Sequence, residues 1–449
     1  MENKLQIDHH TASDLQIFEA RGDKTILDLF DETVTPDGKL KLKERFYNAY
    51  NSRDSILEVQ AALRHIQTHL DVWSFPITPQ EANRINLYYI SKSKPMLFEE
   101  EALFWVESVF RRTFSSEFRE ISLHGTQHII RYFEKLQGWL ARVDSADLPK
   151  LLKDLVASIT TILEEGILAE VLRKETRKAK SNELLRIDKL FRGHDSVKYV
   201  LMVNHVFELE ALISIALAGH KKGFSFPEML DVQTPVVELT DVWHPFLNAP
   251  VVNTVSLGNS GSVVFLTGPN MAGKTTFLRA LGICVYLAHL GFPIPAKLGR
   301  MSVFNGLLSS INTEDSVTLG YSYFYSEVLR VKKAAQFVRD TPKVLLIMDE
   351  LFKGTNIKDA HDGSLMVIKG LAKNPSCLVV ISSHLLELAV DLKKVNSVSF
   401  NCFSSRVVNG KPQFDYKLKK GVSDERIGLI ILKNEGVDKL LGVEDDLMD

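Results

Sequence analysis

The chain has 449 residues, 45% hydrophobic, 24% charged and 9% aromatic, the make-up of a globular protein of about two to four domains. Its 54 Lys and Arg against 56 Asp and Glu give a formal net charge of -2, which excludes a wholly basic surface but not a local basic patch. Three cysteines, Cys284, Cys377 and Cys402, are too few and too scattered for a disulfide framework or a zinc site.

The opening residues MENKLQIDHH lack the apolar core of a secretory signal. No stretch approaches the ~18–20 continuous apolar residues needed to span a bilayer. The expectation is a cytoplasmic protein with no membrane partner. Residues 1–230 read as mostly helical and all-α. Residues 126–143 and 197–219 have the pattern of long helices. In 151–172, Leu152, Leu155, Val156, Ile159, Ile162, Leu163, Ile167 and Val171 recur at three- and four-residue steps, one apolar stripe on one helix. Asp147 and Pro149 stand where its N-cap and first turn belong. Residues 173–192 hold eight basic and three acidic residues. Such a stretch meets phosphates or is simply a solvated helix face.

The chain changes character across 221–235, the expected junction. In 231–449, VVFLTG (263–268), VLLIMDE (344–350) and CLVVISSH (377–384) are continuous apolar runs bounded by turn or polar residues. Strands buried on both faces of a parallel sheet read this way, so this half is α/β.

The first of those strands runs into Gly268-Pro269-Asn270-Met271-Ala272-Gly273-Lys274-Thr275-Thr276, and a helical pattern follows. This is the P-loop pattern in its proper strand–loop–helix context. The glycines let the backbone turn its N–H groups onto phosphate oxygens. Lys274 supplies a charge to the β- and γ-phosphates of ATP, and the Thr275 hydroxyl is placed to ligate Mg²⁺. The second strand ends in Asp349, a second magnesium ligand, and Glu350, placed to act as general base on the attacking water. The third ends in Ser382-Ser383-His384, where His384 can sense the γ-phosphate. Two adjacent carboxylates could instead be a helix N-cap and its neighbour, and a lone histidine is usually structural. The Asp-Glu pair is the arrangement of ABC-type ATPases. The transporter signature Leu-Ser-Gly-Gly-Gln is absent.

Residues 268–282, GPNMAGKTTFLRALG, resemble the MutS family of DNA mismatch repair ATPases. Asp315-Ser316, Gly320, Ser322, Phe324 and Glu327 are similar to the family's signature segment, DELFKGTN (349–356) to its Asp-Glu run, and SSHLLEL (382–388) to its Thr-His-x-x-Glu-Leu. YKLKKGVSDERIG (416–428) resembles its closing segment, and His244-Pro245 its lead-in. Residues 15–46, with Thr33, Thr35-Pro36 and Gly38, resemble the start of its helical core domain. The resemblance implies an α/β P-loop ABC-type ATPase domain at 231–449 preceded by an all-α core and lever domain at 1–230. It implies Asn270 at the γ-phosphate and Ser322 at the nucleotide of a partner subunit in an ATP-sandwiched homodimer. Val251, Val252 and Asn253 match the loop that packs on adenine, although its aromatic is not evident; the alternative for the two valines is an edge strand.

Departures set limits on this. The family's mismatch-reading and connector domains lie upstream of the core motif, and only seven residues precede it here. The β-rich DNA clamp also lacks room. The expected function is therefore an ATP-hydrolysing MutS-like dimer acting in DNA mismatch repair or on another DNA structure. The alternative is an ATP-gated module that binds protein without binding DNA directly. Tyr323 replaces the family's signature Thr, and Phe352-Lys353 replaces its Gly-Arg.

Overall fold

A computed structural model describes residues 4–19, 24–173, 180–193, 197–311, 323–408, 411–423 and 428–440. The chain forms two compact units. One combines Met1–Leu29, Asn48–Leu57 and Lys221–Asp449, and the other Phe30–Tyr47 and Glu58–His220.

The first unit is a mixed α/β body. Among the described residues its strands are β1 (Gln6–Ile7), β2 (Glu228–Leu230), β3 (Val237–Val242), β4 (Asn253–Leu257), β5 (Val263–Thr267), β6 (Leu298–Ser302), β7 (Gly306–Ser310), β8 (Val344–Asp349), β9 (Cys377–Ser382), β10 (Val398–Val408) and β11 (Lys411–Lys420). One sheet runs β1-β7-β8-β9-β5-β10-β11, parallel until the β10–β11 pair. Every residue of β5, β8 and β9 is buried, as their unbroken apolar runs require. A second, four-stranded sheet runs β2-β6-β3-β4.

The boundary differs from the expected cut near residue 230. The first 29 residues and 48–57 belong with the α/β body because long-range bonds hold them there. β1 pairs with β7. The Asp14 carboxylate accepts from the Ser309 hydroxyl at 2.6 Å and the Ile311 N–H at 2.9 Å. Asp8 accepts from Lys333 at 2.8 Å and pairs with Arg330, and these cations hold its carboxyl well below the usual range against the opposing effect of burial.

His289 ties in Asn48–Leu57. Its Nδ1 lies 2.6 Å from the Tyr50 carbonyl, and its Nε2 accepts from the Phe304 N–H at 3.2 Å. That pattern requires the neutral ring with the proton on Nδ1. Complete burial lowers its pKa from 6.5 to about 4. A base whose pKa falls on folding contributes fully above its unfolded value and loses that contribution as pH falls toward the folded one. The unit should therefore lose about 2 kcal/mol from this group between pH 7 and 5. Thermal melts at the two pH values should show a smaller loss in His289→Gln than in the wild type. An equal loss in both refutes the assignment.

Among its described residues the second unit is built of helices joined by loops, with no strand. Thr78 and Glu81 form a reciprocal capping box, with Pro79 in the first turn, at the start of the Pro79–Ile90 helix. The expected single helix over 151–172 is instead two, Lys150–Glu164 and Gly166–Arg173. Glu165 turns to an extended conformation, φ -101° and ψ 144°, and the second helix starts at Gly166. Leu152, Leu155, Val156, Ile159 and Leu163 are buried as the stripe predicts. Pro149, with no side-chain bond, takes the N-cap position expected of Asp147.

The Val197–Lys221 helix is long and apolar enough, by length and composition alone, to cross a membrane. That differs from the expectation that no stretch approaches a span. Asn204, His205, Glu208 and Glu210 break its apolar run, so the uninterrupted count misses it. Its most apolar window is 56% buried, as befits a core helix. Glu210 is fixed there by Thr35: the carboxylate accepts from the Val34 N–H at 2.6 Å, the Thr35 N–H at 2.7 Å and the Thr35 hydroxyl at 2.5 Å. The same hydroxyl caps the next helix by accepting from the Gly38 N–H at 2.8 Å. A Cβ on Gly38 would lie 2.2 Å from the Glu210 carboxylate, which accounts for the glycine in the Thr-Pro-x-Gly segment.

Candidate functional site

The loop between β5 and the Lys274–His289 helix takes its shape from two glycines. Gly268 sits at φ +142°, where a Cβ would come 2.6 Å from the Phe403 carbonyl oxygen. Gly273 sits at φ +101° and forms the helix N-cap. Its near neighbour is the Tyr416 ring, 3.4 Å from where a Cβ would be. Met271, a non-glycine at φ +68°, is bent outward and 72% exposed.

This loop walls a cleft of about 480 Å³. Pro269, Asn270, Met271, Gly273, Lys274, Thr275 and Thr276 line one side, and Glu350 reaches it from the end of β8. Gly268 and Ala272 lie beneath, buried in the loop. The Lys274 ammonium is 5% exposed; it donates to the Gly268 carbonyl at 2.6 Å and the Pro269 carbonyl at 3.1 Å. Burial lowers its pKa, and Glu350 and Asp349 partly offset that.

The ends of three parallel strands converge here. Thr275 donates its hydroxyl to Asp349 Oδ2 at 2.5 Å, and Ser382, at the end of β9, donates to Asp349 Oδ1. The Glu350 backbone N–H is held by the Ser382 carbonyl at 3.2 Å, with Glu350 in the left-handed region at φ +56°. Its carboxylate lies 4.0 Å from Lys274, 3.2 Å from Lys353 and 3.4 Å from His384 Nδ1. Burial alone would raise its pKa; the His384 hydrogen bond and the Lys353 and Lys274 charges outweigh burial and hold it at about 2. The group is a carboxylate at any ordinary pH.

The turn after Glu350 is pinned from below. Glu327, itself buried, accepts from the Lys353 N–H at 3.0 Å and the Gly354 N–H at 3.1 Å. Phe352 takes φ +60°, a conformation that costs a non-glycine residue about 1 kcal/mol or more, and packs edge-on against Phe324 at 5.8 Å. Phe352 in place of glycine thus exchanges a permissive backbone for an aromatic contact, while Lys353 in place of arginine keeps a cation, here 3.2 Å from Glu350. Ser322, like Asp315, Ser316 and Gly320, lies outside the described residues.

The other end of the cleft is more apolar. Val251 lines it, while Val252 does not and instead accepts from the Lys417 ammonium at 2.8 Å through its carbonyl. Both precede β4, so neither belongs to an edge strand. Asn253 lines the cleft, but its side chain is spent on structure: it donates to the carbonyls of Val251 at 3.3 Å and Tyr416 at 3.1 Å, and accepts from the Leu418 N–H at 2.7 Å. It joins β4 to β11. The aromatic lining comes from Trp243, His244, Phe277, Phe403 and Tyr416. Burial, with Arg279 nearby, lowers the His244 pKa to about 4, so this ring is neutral. Sequence reasoning sought an aromatic beside Val251 and missed Tyr416, although the segment that carries it had been singled out.

The donor set suits a magnesium nucleotide. A carboxylate and a hydroxyl in contact, both hard oxygen ligands, are what Mg²⁺ takes from protein when phosphates supply the rest. Among the described residues no cluster of three or more His, Cys, Asp or Glu side chains could hold a metal unaided.

Residues 264–441 match the family model of MutS domain V. The chain is 31% identical over 250 residues to the DNA mismatch repair protein MutS of Wolbachia pipientis wMel, covering 54% of this chain and 28% of that protein. It is 27% identical over 242 residues to the DNA mismatch repair protein spellchecker 1 of Drosophila melanogaster, covering 52% and 26%. It is 28% identical over 238 residues to MutS of Brevibacillus brevis, covering 51% and 27%.

The chain carries a MutS domain V over residues 264–441. The aligned region spans between 26% and 28% of those relatives' own length. The loop, Glu350 and Tyr416 of the cleft, with Asp349 and Ser382 beside them, fall inside the stretch matched to MutS domain V; Trp243, His244, Val251 and Asn253 lie before it.

The basic stretch 173–192 takes on a different character in this MutS-like chain. Arg192 is buried and bidentate with Asp188, at 2.7 Å to each oxygen, while the Tyr88 hydroxyl donates to the same carboxylate at 2.8 Å. Lys189 pairs with Glu99 at 3.1 Å and Arg186 with Glu101 at 3.6 Å. These cations are engaged with acids. Residues 174–179, with Lys174, Arg177 and Lys178, lie outside the described residues.

Proposed function

We propose that this chain is an ABC-type ATPase of MutS kind, which binds ATP and Mg²⁺ in the cleft of its α/β unit and hydrolyses ATP to ADP and phosphate. One observation carries the reading: the phosphate-loop hydroxyl Thr275, the β8 acids Asp349 and Glu350, Ser382 at the end of β9 and His384 just after it are joined by hydrogen bonds and an ion pair beside the cleft that Lys274, Thr275 and Glu350 line. Lys274 exchanges its two loop carbonyls for phosphate oxygens, which are stronger partners for a buried ammonium. Asn270 faces the γ-phosphate from the loop. Thr275 and Asp349 hold the magnesium, which when bound offsets phosphate charge. Glu350, ionised and held by His384 and Lys353, takes the proton of the attacking water. Tyr416 and the neutral His244 offer flat apolar surfaces for adenine. Ser322 is assigned to the nucleotide of a second subunit, in a homodimer closed through the ATPase units.

The object of this work is proposed to be DNA or a DNA-repair partner, through the resemblance to mismatch repair proteins. The pairing of Arg186, Lys189 and Arg192 with acidic residues favours a second reading, an ATP-gated unit whose helical part meets protein. Measuring ATP turnover and binding with homoduplex, mismatched, branched and single-stranded DNA at two salt concentrations separates them. Stimulation by one DNA form supports the first reading. Indifference of both rate and binding to every form sinks it and leaves the second.

A further inference from the structure

The helix Glu101–Phe114 is amphipathic in the inverted sense. Phe104 and Ser108 point inward and are 4% and 0% exposed, and Phe104 joins a small cluster with Met96, Phe118 and Leu185. The outward stripe is apolar: Leu103, Trp105, Val106, Val109, Phe110 and Phe114 are between 38% and 75% exposed. Leu97 and Phe98, just before the helix, continue it at 68% and 44%. The Phe110 and Phe114 rings touch each other at 4.9 Å instead of a core. The exposed fractions of Phe98, Trp105, Phe110 and Phe114 alone present roughly 350–600 Å², taking 150–250 Å² for each whole side chain. The four aliphatic ones bring the patch toward the ~800 Å² per partner of a standard interface. Soluble proteins rarely leave so contiguous a patch uncovered.

The charges say what covers it. Glu99, Glu100 and Glu101 stand at the N-terminal end; Glu99 and Glu101 also pair with Lys189 and Arg186 of their own chain, but at 88% and 92% exposed they stay open to a second partner. Arg111 and Arg112 stand at the C-terminal end. A second copy of the same helix laid antiparallel sets acid against base at both ends and opposes the two helix dipoles; a parallel copy sets like against like. The residue order fits the same operation. A two-fold axis between positions 107 and 108 places Trp105 against Phe110 of the second copy, and Val106 against its Val109, aromatic rings flanking a smaller aliphatic centre.

We propose that this face is where a second copy of the chain docks, antiparallel about a two-fold axis and without any need for nucleotide. Such an isologous contact is self-complementary and closes at two subunits. It is separate from the ATP-dependent dimer proposed above, and its test therefore uses nucleotide-free protein.

The experiment is light scattering or sedimentation on the full chain, without nucleotide, across a concentration series. The wild type should pass from monomer to dimer. V106E/F110E should weaken that association about 30-fold or more, as loss of a central anchor does, with an unchanged melting temperature because both residues are exposed. E101R and R112E should each weaken it, and the two together in one chain should restore it, since each reversed end again meets its opposite. Lys274→Ala should leave it untouched. A wild type that stays monomeric throughout overturns the proposal. So does a dimer indifferent to V106E/F110E, a charge pair that fails to restore, or a face whose mutation abolishes binding to single-stranded DNA or anionic vesicles without changing the mass.

Discussion

Glu350→Gln should lower ATP turnover 10²–10⁴-fold, the range for loss of a general base, while ATP still binds. The substitution keeps the shape and the left-handed backbone, which a glutamine tolerates as a glutamate does. It removes only the negative charge and proton affinity that Lys274, Lys353 and His384 surround. The loop, Lys274 and the Thr275–Asp349 contact do not depend on that charge, so affinity should hold or rise. Phosphate release and equilibrium nucleotide binding, measured separately, check this. Turnover within threefold of the wild type would remove Glu350 from the base role. Loss of binding together with turnover would make it a structural counter-ion to Lys274 instead.

Glu210→Ala is the largest expected effect on stability, about 3–5 kcal/mol on the helical unit. It strips the Val34 and Thr35 N–H groups and the Thr35 hydroxyl of their acceptor, in a place where Thr35 and Glu210 are 5% and 2% exposed. Each buried donor left unmatched costs about 1–3 kcal/mol, less what entering water repays. Glu210→Gln keeps one acceptor oxygen and should fall between. Hydrogen exchange at the amides of Val34, Thr35 and Gly38 reads the effect locally, and unchanged protection in the alanine variant would contradict it.

The α/β half was readable because parallel strands buried on both faces must be apolar throughout. β5, β8 and β9 therefore stand out as unbroken runs whose ends carry Gly268, Asp349 and Ser382. The helical stripe of 150–164 was readable for the same kind of reason. The break at Glu165 was not, since a lone glycine does not end a periodic pattern by itself. Nor was the placement of the first 29 residues. β1 is two residues long and pairs with a strand some three hundred positions away, so no local signal marks it. Tyr416 escaped because the chain brings it to the cleft from β11, whereas adjacency in sequence pointed to Val251. Asn253 shows the reverse error: a polar residue lining a cleft that is already fully bonded within the fold.

The α/β body is assembled from chain ends made far apart in time. Thr11 accepts from the Ser309 N–H across 298 positions, and Asp8 from Lys333 across 325. At a synthesis rate of about 5–20 residues per second, the first segment waits on the order of 15–60 s for its partners to leave the ribosome. Through that interval Leu15, buried at the end beside Gly282, lacks that neighbour. The body cannot ripen domain by domain from the N-terminus. It must hold its earliest apolar residues in trust, alone or with a chaperone, until its last strands are made.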